Sequence, residues 1–292
     1  MGSCFSDNIG LMMEQVNLPC VSNPFGTVYN PASILTQLRF LTGELQLEEE
    51  RIIKRDDHFF HFDFHSCFTG KSIKSLVKDL ESTKQKNVEI LKKSSHVFIT
   101  LGTAWVYNRK EDGKIVSNCH KMPGSLFDKK LLSIEAIYKD LLEIVQIIKR
   151  VNSNSSIVFT LSPVRHIKDG IIENNRSKAR LLEAIHLICE MKKADYLPAY
   201  EWVLDDLRDY RYFDEDMIHP SKVAIQYIWE KLGKAFFTRE TNELMIFAEK
   251  LYKLKQHKPF ETSGNSYKDY LAKIKTMEEE WIHKLKKAYD RN

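Results

Sequence analysis

Two stretches constrain the fold more than anything else in the chain: His96-Val97-Phe98-Ile99-Thr100-Leu101 and Ser156-Ile157-Val158-Phe159-Thr160-Leu161. Each is a nearly continuous run of β-branched, aromatic and aliphatic residues. Each stops at turn chemistry, Gly102 in the first case and Ser162-Pro163 in the second. Strands with one wet face alternate polar and apolar residues, so unbroken apolar runs suit strands buried on both faces of a parallel sheet. An aromatic segment, Phe59 to Phe64, and a weaker one, Ala194 to Leu197, extend the strand set. Helical patterns lie between them. Ser6 to Leu18 puts Ile9, Met12, Met13 and Val16 on one face, and Pro31 to Leu41 opens with proline after Asn30. Ser133 to Val151 and Lys178 to Lys192 are amphipathic. Alternating strands and helices predict an α/β protein, a three-layer α/β/α domain around a parallel sheet, with ligands beyond the carboxyl ends of the strands. Gly2-Ser3-Cys4, Gly102-Thr103 and Ser162-Pro163 all fall at such ends.

The 292 residues suffice for a full core, and 43% hydrophobic with 29% charged residues describes an ordinary globular chain. A net charge of +4, from 44 basic and 40 acidic residues, points to no nucleic-acid partner. No stretch approaches the roughly 20 apolar residues of a membrane span, and no charged n-region precedes an apolar core at the start. The five cysteines are scattered and odd in number, which argues against a disulfide framework or structural zinc and for cytoplasmic residence. Beyond about residue 237 the strand signals end. Thr238 to His257 and Ser266 to Asp290 are charged and helix-periodic, with Pro259 to Asn265 between them. The expected organisation is a main domain over residues 1–237 and a helical hairpin over 238–292. A first strand normally leads into a glycine turn of this kind, and only Met1 precedes Gly2, so a missing or truncated first strand is expected.

Two segments carry chemistry. In Gly2-Ser3-Cys4-Phe5-Ser6, a glycine turn delivers a nucleophile to a helix start, whose free N–H groups stabilise an oxyanion and favour a thiolate. In Asp216-Met217-Ile218-His219-Pro220-Ser221, an aspartate three residues before a histidine can hold one ring nitrogen while the other serves as base. Cys119-His120 reads as a structural or substrate-contacting loop, because adjacent side chains diverge and no further metal ligands are spaced around them. Arg165 and His166 follow a strand end, a place suited to substrate contact or to a solvated loop. Met1-Gly2-Ser3-Cys4 also fits an acylation pattern, in which the opening would be a lipid anchor.

The opening Gly2-Ser3-Cys4-Phe5-Ser6 resembles the signature of the GSCFA family, a bacterial group related to SGNH hydrolases. Asn23-Pro24-Phe25-Gly26-Thr27 with Asn30-Pro31, Thr100 to Trp105, Asn118 to Lys121, Leu161 to Val164 and Asp216 to Ser221 are similar to that family as well. The resemblance implies an SGNH-hydrolase-like (flavodoxin-like) parallel sheet with a C-terminal helical extension. Set against the SGNH esterase opening G-D-S-L-S-D, Cys4 takes the nucleophile's place, with Ser3 as the fallback. The same resemblance makes Gly26 an oxyanion donor and leaves Ala104 where an asparagine is usual, so that Thr103 beside Gly102, or Asn30, would substitute. It implies acyl-ester hydrolysis or O-acyl transfer on a glycan or small ester, with acyl-CoA as a donor for transfer and no metal or organic cofactor. The rival is a non-catalytic carbohydrate-binding protein on the same fold.

Overall fold

The computed structural model describes residues 1–257, 259 and 263–289. Lys258, Phe260 to Thr262 and Asp290 to Asn292, all within the expected hairpin or its connection, lie outside the described residues. The chain forms two compact units, one of Met1–Asp7 and Val21–Ala224, the other of Asn8–Cys20 and residues 225 onward.

The first unit is built on β3 (His96–Leu101), β7 (Ser156–Leu161) and β8 (Asp195–Leu197), parallel in the order β3-β7-β8. The two apolar runs pair in full register, His96 with Ser156 through Leu101 with Leu161. Their inner residues, including Ile99, Leu101, Val158, Phe159 and Leu161, are fully buried, as the absence of alternation requires. On the other edge, Gly2 bridges Thr100 in parallel; the Thr100 N–H donates to the Met1 carbonyl at 2.9 Å and the Ser3 N–H to the Thr100 carbonyl at 3.1 Å.

Helices cover this sheet, among them α2 (Pro31–Thr42), α3 (Ile73–Lys93), α4 (Ile134–Val151) and α5 (Ile171–Glu190). In α4 the stripe Ile137, Leu141, Ile144, Val145 and Ile148 recurs at helical spacing, and every member is buried. Each such side chain contributes roughly 1.5–3 kcal/mol on removal from water. The sheet flanked by helices is an α/β/α architecture.

The Phe59 to Phe64 segment takes a different place from the one its aromatics suggest. Only His58–His61 is a strand (β2), and it pairs antiparallel with β1 (Ile52–Arg55) outside the central sheet. A second antiparallel sheet joins β4 (Trp105–Arg109), β5 (Ile115–Val116) and β6 (Phe127–Leu131) in the order β5-β4-β6. Arg51 ties the hairpin to this sheet. Its guanidinium pairs with buried Asp63, reaches Asp112 at 3.2 Å and donates to the Ile115 carbonyl at 2.8 Å.

The helix α1 (Cys4–Gln15) begins in the first unit and ends in the second; α7 (Lys222–Phe236), which follows the short α6 (Ala199–Glu201), does the same. Within the second unit, Trp229 of α7 donates its indole N–H to Glu249 of α8 (Arg239–Gln256) at 3.0 Å. Phe247 of α8 stacks on Trp281 of α9 (Asn265–Tyr289) with ring centres 6.2 Å apart. The C-terminal helices are therefore present, but they group with most of α7 and α1, not with a break near residue 237. Among the described residues no helix is long and apolar enough to cross a membrane.

Candidate active site

The chain enters the site through Gly2. Its φ is +134°, and a Cβ there would lie 2.0 Å from the Thr100 carbonyl oxygen, so only glycine allows the backbone this close to β3. Ser3 is fully buried: its Oγ accepts from the Phe5 N–H at 3.3 Å and its carbonyl from the Ser6 N–H at 2.9 Å. Ser3 therefore caps α1, and Cys4 is the first helical residue, half-buried at the positive end of the helix. Burial pushes the Cys4 thiol up and the Asp7 carboxylate adds to this, while the Cys4 and Phe5 N–H groups and the Lys178 ammonium pull it down.

Asn23 holds this turn in place. Its Oδ1 accepts the Gly2 N–H at 2.7 Å and its Nδ2 donates to Asp7 Oδ1 at 2.8 Å. Asp7 Oδ1 also accepts from the Ser22 hydroxyl at 2.7 Å, and Ser6 donates to Thr100 Oγ1 at 2.8 Å. These contacts fix the first turn of α1 against the carboxyl end of β3.

The Asp216–His219 loop is a closed turn. Phe213 bridges Pro220, and the Asp214 N–H donates to the His219 carbonyl at 2.8 Å. Asp216 Oδ1 accepts the N–H groups of Ile218 and His219 at 2.8 and 3.0 Å, while Oδ2 lies 2.6 Å from His219 Nδ1. The His219 N–H, its ring and the Ile218 N–H hold Asp216 down to about 2, so it is a carboxylate at neutral pH. With Nδ1 bound, Nε2 is the free nitrogen, on a ring that is 45% exposed. Arg165, just past β7, braces the loop: its N–H donates to the Ile218 carbonyl at 3.2 Å and its guanidinium to the Met217 carbonyl at 3.3 Å. The guanidinium also lies 4.1 Å from the Phe213 ring centre. Arg165 is thus engaged in holding the Asp216–His219 loop at the end of β7.

A third layer lies beneath. The N–H groups of Gly102 and Thr103 both donate to the Tyr29 carbonyl, at 2.7 and 2.9 Å. Thr103 Oγ1 pairs with Ser177 Oγ at 3.0 Å, which also accepts the Ala104 N–H at 2.7 Å. His166 stands edge-on to Tyr29, with a buried Nε2 that has no hydrogen-bond partner. Burial pulls its imidazole down to about 4, helped by the charges of Lys178 and His219, so the ring is neutral. Tyr29 in turn lies in the field of Cys4. Among the described residues no hydrogen bond or ion pair joins Cys4 to His219, whose ring is bound to Asp216.

Several expected roles change. The Gly26 N–H already donates to the Asn23 carbonyl at 2.7 Å, and a Cβ at Gly26 would lie 2.2 Å from His65 Cβ, so this glycine serves a tight turn. Asn30 caps α2, its Oδ1 accepting the Ser33 N–H at 2.8 Å. With Gly102 and Thr103 committed to Tyr29 and the Phe5 and Ser6 N–H groups bound to Ser3, the Cys4 N–H at the start of α1 is a backbone donor placed beside the thiol. His120 is buried, 1% exposed, with Nε2 on the His61 carbonyl at 2.9 Å and Nδ1 near Ser66 Oγ at 3.3 Å. Tyr29 and Lys178 carry no motif of their own. Asn23 opens the Asn23-Pro24-Phe25-Gly26-Thr27 stretch and His166 follows a strand end, but neither position announces the contacts it makes. Among the described residues no group of His, Cys, Asp and Glu is arranged to hold a metal ion.

Fold and site together define an α/β/α protein with a helix-start cysteine at one strand end and an Asp–His pair at the next. The profile of the GSCFA family matches residues 1–232, and the chain belongs to that family. No curated protein matches it.

Proposed function

We propose that this protein performs acyl-ester chemistry through a nucleophile–His–Asp arrangement related to that of SGNH hydrolases. Cys4 attacks an ester or thioester carbonyl, His219 moves the proton, and Asp216 keeps the imidazole in the tautomer that leaves Nε2 basic. The observation that carries this reading is the 2.6 Å contact of Asp216 Oδ2 with His219 Nδ1, on a loop braced to the end of β7. The full burial of Ser3 and its capping bond favour Cys4 over Ser3 as nucleophile. The Cys4 N–H at the start of α1 supplies an oxyanion donor.

The substrate class is an acylated glycan or a small ester. Water as acceptor gives hydrolysis; a sugar hydroxyl gives O-acyl transfer, with acyl-CoA as donor. Five free cysteines suit a cytoplasmic setting. One observation favours the second reading, a non-catalytic carbohydrate-binding protein: the N–H groups of Gly26, Gly102, Thr103 and Ala104 are all spent within the chain.

The test is turnover of a p-nitrophenyl ester, and of acyl-CoA with sugar acceptors, by wild type, Ser3→Ala, Cys4→Ala and His219→Ala. Loss of general-base catalysis costs about 100-fold or more. The reading requires such losses in Cys4→Ala and His219→Ala and retained turnover in folded Ser3→Ala. Absence of turnover in the wild type, with saturable glycan binding, would establish the binding-protein alternative.

A further inference from the structure

Lys178 sits on α5 with 2% of its surface exposed, and among the described residues it forms no ion pair with any carboxylate. Its Nζ donates to the Ser162 carbonyl at 2.6 Å and lies 5.7 Å from the Tyr200 ring centre. A lysine buried without a counter-ion is costly, because the ammonium loses its hydration with no carboxylate to replace it. Such a group persists where its proton or its charge has a use.

Its place in the fold shows what that use is. Ser162 immediately follows β7, and its N–H donates to the Leu101 carbonyl at 2.8 Å, so Lys178 reaches the carboxyl edge shared by β3 and β7. The neighbouring residue on α5, Ser177, is bonded to Thr103 and Ala104, just beyond β3. Cys4 arrives at the same edge, two residues after Gly2 bridges Thr100, with Ser6 bonded to the Thr100 hydroxyl. The charged and titratable groups around Lys178 are the Cys4 thiol on α1, the His166 ring after β7 and the Tyr200 phenol on α6. Asp7 faces the thiol from α1. Cys4 and Lys178 raise and lower one another in the sense of an ion pair, whereas His219 interacts with Asp216 and His166.

We propose that Lys178 activates Cys4 as the buried counter-ion of its thiolate. This rests on Cys4 being the nucleophile. The Sγ–H bond breaks, its proton passes through solvent to the lone pair of His219 Nε2, and the electron pair stays on sulfur. The thiolate then faces the Lys178 ammonium, which otherwise has no counter-ion among the described residues. Burial draws Lys178 down to about 7 and the Cys4 charge draws it back up, so the ammonium is held best when the thiolate is present. His219 keeps that proton for the later step, donation to the leaving group.

The experiment is the pH dependence of Cys4 alkylation by iodoacetamide, read by peptide mass spectrometry, in wild type, Lys178→Met and Lys178→Arg. Lys178→Met should lower the rate at pH 7.5 by about tenfold or more and move the half-point upward by a pH unit or more. Lys178→Arg, permanently charged, should restore much of the reactivity at neutral pH. A second readout keeps native Lys178: ¹³C NMR of ε-labelled lysine in wild type and Cys4→Ala. Removing the thiolate should move the Lys178 titration downward. An unchanged alkylation profile in folded Lys178→Met overturns the proposal, as does a Lys178 titration indifferent to Cys4. A Cys4 inert at every pH in the wild type overturns it together with the acyl-transfer reading; a reactive Cys4 with an indifferent Lys178 overturns the proposal alone.

Discussion

Replacing Asn23 with alanine should loosen the Gly2-Ser3-Cys4 turn. The substitution strips the Gly2 N–H of its acceptor and Asp7 of a donor 2.8 Å away. Stranding a buried N–H costs at least about 1 kcal/mol, and a hydrogen bond to a charged group is worth about 1.5 kcal/mol or more. Asn23 also has φ +38°, on the left-handed side, where alanine costs about 1 kcal/mol. The sum is about 3 to 4 kcal/mol. Because the chain has two units, urea unfolding by circular dichroism should be paired with peptide-resolved hydrogen exchange over residues 1–10. Asn23→Asp sharpens the test: it keeps an acceptor for Gly2 but sets a second carboxylate against Asp7, so its deficit should shrink on acidification. A loss below about 1 kcal/mol in Asn23→Ala, with unchanged protection of the first turn, would refute the clamp.

Further expectations concern the glycine, the buried ion pair and pH. Gly2→Ala places a Cβ 2.0 Å from the Thr100 oxygen and should cost at least about 3 kcal/mol, read as lost exchange protection at Thr100. Arg51→Met leaves Asp63 charged and 5% exposed, a loss of about 3–5 kcal/mol that the double change Arg51→Met/Asp63→Leu should partly recover. Burial draws His61 and His166 from 6.5 down to about 4. The unfolded chain therefore takes up protons that the folded one refuses. Stability should be full above pH about 6.5 and fall toward pH about 4, by up to about 3 kcal/mol for each ring. Urea midpoints from pH 8 to 4.5 check this, and His61→Gln should flatten the slope.

The central strands were legible because burial on both faces removes alternation, so β3 and β7 stand out as unbroken apolar runs ending at Gly102 and Ser162. The helices α2 and α4 were equally plain, with a cap and a stripe. The start of α5 was not: Ile171 and Ile172 are 69% and 74% exposed, so its first two turns lack the amphipathic pattern that begins at Lys178. The sheet β4-β5-β6 was not legible, since Lys129 and Lys130 leave β6 without the apolar run that marks a buried strand. Phe59 to Phe64 misled because its aromatics pack around His120 and the α2 face instead of entering the parallel sheet. In the site, Cys4 and the Asp216–His219 pair are local in sequence and could be read. Asn23 and Lys178 act across 21 and 16 residues of chain, on Gly2 and Ser162, and no spacing announces such contacts.

The most direct test of the acyl-transfer account is to trap the covalent intermediate. The protein is quenched in acid within milliseconds of mixing with p-nitrophenyl acetate, digested and analysed by peptide mass spectrometry. The account predicts an acetyl group on Cys4, absent in Cys4→Ala and slow to form in Lys178→Met. Acetyl on Ser3, or turnover with no acyl group on the first ten residues, would contradict it.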